Sequence, residues 1–266
     1  MHIGELQVHP VTDGTFVARP HYFGADAATN PHPELFDRDG AAWLPIGCFL
    51  IRSGERIVLI DAGLGPDLQD GLHLLVGGQL LTGLRALDVD PDDVTDVVCT
   101  HMHADHVGWL FDLDGDAVFR RAAIWFGAAD FPHFVTGTGE MAAHIRCGFT
   151  ASRHASRLRP IDHDTTIACG ITAITTPGHT PGHLCIALSS GQERALLLGD
   201  AITCPVQLDE PTWHSLGDVD PALADRTREH LWRELEGEHI TGVGAHFPEL
   251  RFGRVLPGSA PRRWLT

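Results

Sequence analysis

Within six residues, His101-Met102-His103-Ala104-Asp105-His106, the chain carries three imidazoles and a carboxylate. Core packing does not call for that density of polar rings, whereas holding a cation does. His101 and His103 are two apart, so in an extended loop they project the same way and can share one ion. Asp105 and His106 follow after a turn and can address a second ion. Neutral imidazole and carboxylate suit zinc and its divalent neighbours. The chemistry on offer is metal-assisted attack on a polarised bond. The bland alternative is a solvated, His-rich loop.

Other stretches repeat the pattern of a strand ending in a polar side chain. Asp200 follows Ala195-Leu196-Leu197-Leu198-Gly199, so its carboxylate is expected to be buried. An unpaired buried carboxylate is costly, and a metal partner would offset that cost. His179 lies between two Pro-Gly pairs in Thr176-Pro177-Gly178-His179-Thr180-Pro181-Gly182-His183, where tight turns hold it at a fixed height. His183 is expected to pack behind it. Asp61, in Asp61-Ala62-Gly63, either accepts a hydrogen bond from the outer nitrogen of a ligand histidine or caps its own turn. His246 follows a final strand in Gly244-Ala245-His246-Phe247-Pro248. Trp109, Ile202, Thr203, Trp213 and Phe247 flank these positions and suggest an apolar mouth for a small-molecule substrate with a hydrophobic portion. His73, His133, His144, His154, His163 and His214 are isolated and read as surface or satisfied interior residues.

The elements that must position these groups follow from periodicity. Residues 94–100 read as a strand leading into the cluster, and 107–110 as a helix start. Residues 6–17 alternate as a first strand, and 46–52 with 56–60 form a hairpin. Residues 64–78 are a Gly-rich connector. Leu80, Leu81, Leu84 and Leu87 have helical spacing, and Asp90-Pro91 caps a second short helix. Residues 117–126 predict a strand and 128–135 a helix. Residues 142–157 predict one helix with Arg146, Arg153 and Arg157 on its solvated face. Trp125, Phe131 and Phe134 read as core. Residues 167–175 predict one strand, 184–188 with 194–198 a hairpin, 222–235 a helix capped by Asp220-Pro221, and 240–243 a last strand. Residues 18–40 form a Pro- and Asp-rich loop that contains Tyr22, the only tyrosine.

At 266 residues the chain can bury a large core and is most simply one domain over 1–266. Hydrophobic content of 43% and mean hydropathy of −0.02 suit a globular protein. With 19 basic against 35 acidic residues the formal charge is −16, which argues against a nucleic-acid partner, since no basic stripe exists to neutralise phosphates. The six cysteines are scattered with no CxxC pair. No basic-then-apolar leader and no long apolar span is visible, so a cytoplasmic chain without a membrane partner is expected.

The constellation resembles the metallo-β-lactamase superfamily of hydrolases. The HxHxDH motif stands at His101, His103, Asp105 and His106, followed in order by His179, Asp200 and His246, with Asp61-Ala62-Gly63 as the early acid-containing turn. The resemblance implies an α/β fold, an αββα sandwich of two mixed sheets flanked by helices. It implies two divalent metal ions, zinc first, with Mn, Fe or Co as alternatives. His101, His103 and His179 would hold one ion, Asp105, His106 and His246 the other, and Asp200 would bridge them. It also implies a hydroxide shared by the ions as nucleophile and Asp105 as proton shuttle to the leaving group. The Gly-His-Thr-Pro-Gly-His stretch and the bridging Asp look like the N-acyl-homoserine-lactone lactonases. Those enzymes carry a tyrosine three residues after the bridging Asp, where this chain has Thr203. Tyr22 is too remote in sequence to be given that role. Residues 199–207 also look like the organophosphate-hydrolysing branch. Lactone or ester hydrolysis therefore leads, with phosphotriester or thioester hydrolysis beside it. A single-iron oxygen- or sulfur-oxidising enzyme and a non-enzymatic binding module are the alternatives from other classes. Residues 1–40 would cover the site or contribute to a homodimer.

Overall fold

The computed structural model describes residues 1–28, 32–66, 75–237, 239–258 and 262–266. His73 and most of the Gly-rich connector lie outside the described residues. The first sheet contains β1 (His2–Ile3), β2 (Leu6–Ala18), β3 (Ala42–Ser53), β4 (Arg56–Ile60), β5 (Leu75–Val76), β6 (Asp96–Val98), β7 (Ala123–Gly127) and β8 (Leu158–Ile161). Its order is β1-β2-β3-β4-β6-β7-β8, with β5 paired to β2. The hairpins from β1 to β4 are antiparallel, and the β4/β6, β6/β7 and β7/β8 pairs are parallel. The second sheet is β9 (Thr165–Ala168), β10 (Ile171–Thr175), β11 (Leu184–Ser190), β12 (Glu193–Leu197) and β13 (Ile240–Val243), running β13-β12-β11-β10-β9. Only its β12/β13 pair is parallel. A small pair, β14 (Arg254–Val255) and β15 (Trp264–Leu265), follows.

Consecutive residues of the central strands feed different cores, as side chains on a pleated strand must. Phe49 and Ile51 of β3 join Val58 and Ile60 of β4 in the cluster between the sheets. Cys48, Leu50 and Leu59 point the other way, into a second cluster with Leu80 and Leu84 of α1 (Leu80–Ala86) and Ile145 and Phe149. The latter two belong to α3 (Ala143–Thr150), which follows α2 (Ala104–Val107) in the chain. After α4 (Val206–Asp209), α5 (Pro221–Leu235) contributes Leu231, Trp232 and Leu235 to the inter-sheet cluster. The result is helix, sheet, sheet, helix. Among the described residues, no helix is long and apolar enough to cross a membrane.

Several boundaries depart from the periodicity. The single strand expected over 167–175 is two, because Gly170 adopts φ 74° and reverses the chain between β9 and β10. The long helix expected over 142–157 stops at Thr150, and Ala151 is extended before a 3-10 turn at Ser152–Arg157. Of its arginines Arg153 is exposed, as expected, while Arg146 and Arg157 are half-buried. Arg146 donates to the carbonyls of Val135 and Gly139, Arg153 to Gly115, and Arg157 to Arg120. They satisfy loop carbonyls that helix or sheet would otherwise pair. The strand expected over 117–126 shortens to β7, and β8 had no periodic signal.

One buried acid organises the loops behind the site. The β2/β3 register shifts between Thr12 and Gly14, so Asp13 is the extra residue of a bulge and turns inward. Its carboxylate accepts from the backbone N–H of Leu64, Gly65, Gly78 and Leu80 and from Trp109 Nε1. It thus ties the start of α1, the 64–65 turn and the end of the metal-motif segment to β2. Asp13→Ala should leave several of these buried donors unpaired and cost on the order of 3 kcal/mol. Urea titration checks this: the midpoint should fall with an unchanged slope.

Candidate metal centre

Five strands end at one edge of the sandwich, and each hands over a polar residue. β4 leads to Asp61, β6 to the segment 99–106, β10 to the loop bearing His179, β12 to Asp200 and β13 to His246. Asp61 pays in backbone strain, with φ 61° at a non-glycine position. Gly199, at φ 51°, lets the chain turn where a Cβ would lie 2.7 Å from His183 Nε2 and 2.9 Å from Thr100.

The structure brings the seven residues singled out in the sequence to one point. His103 Nδ1 faces His179 Nε2 at 3.0 Å. Asp200 sits in the middle: Oδ1 lies 3.5 Å from His106 Nε2, and Oδ2 lies 3.6 Å from His179 Nε2 and 3.2 Å from His246 Nε2. Asp105 is 3.7 Å from His106 Nε2 and 3.4 Å from His246 Nε2. The donor atoms of His101, His103 and His179 lie within 4.8 Å of one another, as do those of His101, His106 and Asp200, and of Asp105, His106 and His246.

The outer ring nitrogens are occupied, which fixes how the inner ones point. His106 Nδ1 donates to Asp61 at 2.9 Å. His179 Nδ1 donates to Asp218 at 2.8 Å, and His246 Nδ1 to the Pro45 carbonyl at 2.7 Å. Thr100 Oγ1 gives its proton to Asp61 and so can accept from His101 Nδ1, 3.1 Å away. Asp61 thereby orients two rings, one directly and one through Thr100. The inner atoms His101 Nε2, His106 Nε2 and Asp200 Oδ1 are buried without a hydrogen-bond partner. Buried polar atoms are normally paired, so inward lone pairs with nothing to meet fit a cation.

The electrostatics agree. Burial, then the neighbouring imidazoles, hold His101 well below its ordinary pKa and push His103 down to about 3. Burial alone would also lower His106, but Asp61, Asp105 and Asp200 outweigh it and raise that ring to about 9. His246 is raised against burial by Asp200 and Asp105. Burial works to raise both carboxylates. The imidazoles win, His106 first for Asp105 and His246 first for Asp200, and both acids stay ionised.

Of the five residues expected at an apolar mouth, four are buried. Ile202 and Phe247 are buried in the inter-sheet core, and Trp213 is buried in a satellite cluster stacked on Phe23. Thr203 is fully buried, its Oγ1 without a partner. Trp109 is half-buried and spends its indole N–H on Asp13. Asp105 keeps 15% of its side chain exposed. His183 accepts from the Asp200 backbone N–H and supports that loop from behind.

Sequence reasoning missed several supporting groups. Asp218 is buried and also bonded by buried Arg228 at 3.3 Å. Asp130 accepts from Met102 N, Thr180 Oγ1 and Gly182 N, tying the two histidine-bearing loops together. Burial lifts Asp130 to about 6 against these three donors. Their partners lie tens of residues away, so no local spacing announces them. Tyr22, from the 18–40 loop, has its hydroxyl 2.7 Å from Ser215 Oγ.

Residues 41–236 match the model of the Metallo-beta-lactamase superfamily. N-acyl homoserine lactonase AiiA of Bacillus thuringiensis subsp. kurstaki is 26% identical over 171 residues, which take in 58% of this chain and 62% of that protein. N-acyl homoserine lactonase AiiB of Rhizobium rhizogenes is 24% identical over 262 residues, 92% of this chain and 91% of its own. Among solved structures, AidC, a dizinc quorum-quenching lactonase in complex with a product, superposes with a TM-score of 0.82 at 23% identity. The hydrolase AbOPH gives the same TM-score and identity, and each comparison covers all of this chain and 95% of the other. At that identity the superpositions establish the fold.

Two outcomes follow from the geometry. Asp218→Ala frees the outer nitrogen of His179 and should weaken metal binding about 10- to 100-fold, read by competition with a chromophoric chelator. A ligand imidazole must be neutral, whereas His106, at about 9, and His246 hold protons at pH 7 when no cation is bound. Metal uptake should therefore release protons, and affinity should rise with pH up to about 9. Calorimetry in buffers of different ionisation enthalpy measures both.

Proposed function

The chain belongs to the metallo-beta-lactamase superfamily, and on that footing we propose that it is a two-metal hydrolase of a small lactone or ester. The observation that carries this reading is Asp200, a buried carboxylate placed between two sets of inward-pointing imidazoles with one oxygen unpaired. His101, His103 and His179 would hold one cation, Asp105, His106 and His246 the second, with Asp200 contributing to both. Zinc fits this donor set best, with Mn, Fe or Co as further fits. Bound there, the cations supply Lewis acidity toward a substrate carbonyl and acidify water.

The chain's own groups do the rest. Asp61, Asp218 and the Pro45 carbonyl hold three rings in the tautomer that presents Nε2 inward. Asp105 is ionised and keeps part of its side chain exposed, so it can take up a proton and hand it to the leaving oxygen. His101, His106, His179, Asp200 and His246 are buried and His103 is half-buried, which strengthens the charges held among them.

Lactonases named among the relatives support the choice of a cyclic ester as substrate. The chain spans 62% of the length of AiiA. A hydrophobic arm on the substrate suits the Phe16 and Tyr22 rings near His246.

His106→Ala or Asp200→Asn should lower hydrolysis at least about 100-fold while leaving far-ultraviolet circular dichroism unchanged. Chelation should abolish turnover and metal readdition restore it. A panel of lactones, thioesters, phosphotriesters and β-lactams on metal-replete protein tests the substrate class. Turnover of lactones or simple esters above the other classes is expected. Turnover that survives chelation, or falls solely on another class, overturns the reading.

A further inference from the structure

The loop that carries His179 rests on the first half of α5. The Thr227 hydroxyl donates to the Pro177 carbonyl at 2.6 Å. The backbone N–H groups of Val219 and Asp220, just before the helix, donate to the carbonyls of His179 and Gly178. Gly178 has φ 138°, and a Cβ there would lie 2.4 Å from Ala224 N, so only glycine lets loop and helix come this close. Asp218, in the same segment, takes the outer proton of His179 at 2.8 Å.

Arg228, two turns into α5, reaches back to that acid. Among the described residues it is the one buried arginine, at 4% exposure. Its Nη2 donates to Asp218 Oδ2 at 3.3 Å and its Nη1 to Asp225 at 3.0 Å, while Nε is buried with no hydrogen-bond partner. A buried guanidinium with an unmatched N–H is costly, and an apolar side chain of similar volume would fill the same space without that cost. Packing of α5 therefore gives no reason for an arginine here. Asp218 does: its side chain is fully buried, and three donors surround it, His179 Nδ1 on Oδ1 and Ser215 N with Arg228 on Oδ2.

We infer that Arg228 is a positioning residue for the cation that His101, His103 and His179 would hold, and that it acts on His179 through Asp218. Its charge offsets that of the buried carboxylate, and its N–H holds Oδ2, so that Oδ1 stays in line with His179 Nδ1. With Nδ1–H held there, His179 presents Nε2 to the cluster. Without the guanidinium, Oδ2 keeps only the Ser215 N–H, and the carboxylate is freer to rotate about its last torsion. His106 and His246 turn on other partners, Asp61 and the Pro45 carbonyl, so the second set of ligands does not depend on Arg228. A helix that lends no ligand thus sets one half of the cluster.

This inference rests on the two-metal reading, and its test separates the two. Zinc binding is measured by competition with a chromophoric chelator in wild type, Arg228→Met and Arg228→Lys, each with and without His179→Ala. Arg228→Met should weaken one of two zinc ions about 10- to 100-fold and leave the other within about threefold. In the His179→Ala background the same substitution should add no further loss, because the ring through which it acts is gone. Arg228→Lys keeps a charge beside Asp218 and should lose less at the same ion; it answers the same comparison should the methionine variant not fold. A role confined to folding would instead weaken both ions alike and persist without His179, and that result overturns the inference. So does zinc binding by Arg228→Met within about threefold of wild type at both ions, which leaves the two-metal reading standing. A wild type that takes up fewer than two zinc ions overturns that reading and this inference together.

Discussion

A carboxylate sealed among imidazoles, with one oxygen that no hydrogen bond reaches, is the constraint around which this molecule is built. Asp200 follows an apolar strand, and burial there would ordinarily drive it neutral. It stays ionised because His246, His106 and His179 surround it. Those rings are themselves buried and sit at hydrogen-bonding or metal-sharing distances from one another. Charge of either sign would be intolerable alone at this edge of the sandwich, and the cluster is stable only as an ensemble of opposite charges.

The cluster is held from behind by acids that are not part of it. Asp61 and Asp218 take the outer protons of His106 and His179, and Asp130 ties the loop of His101 and His103 to that of His179. Asp13 does the same work one layer further out, gathering N–H groups of three segments. A formal charge of −16 therefore does not describe the surface alone, because part of the acidity is internal scaffolding. Each such acid accepts two or more hydrogen bonds, which is what makes its burial tolerable.

The N-terminal segment gains its place through aromatic packing. Phe23, Phe36 and Trp213 form a separate small cluster, and His32 meets Trp213 edge-on. That packing ties Tyr22 to the 213–218 loop, whose Asp218 holds His179. Trp213 is a buried post that positions this loop.

What the sequence by itself determined is the local part of this account. Alternation on β3 and β4, the capped α5 and the dense HxHxDH segment are each set by neighbours a few residues apart, and for such features periodicity and residue type are enough. For Asp61 the sequence left two tasks open, capping its turn or orienting a histidine, and the 2.9 Å bond to His106 Nδ1 exists only once β4 and β6 are paired. Tertiary structure alone decided the rest. Ile202, Trp213 and Phe247 neighbour cluster residues in sequence, yet strand pleat and loop direction send their side chains into packed interiors. Asp218, Asp130 and Asp13 act on groups brought near by sheet pairing, and spacing along the chain carries no trace of such partners. Tyr22 lies 178 positions before Asp200, and only its backbone and hydroxyl bonds to the 213–218 loop set it beside Ser215.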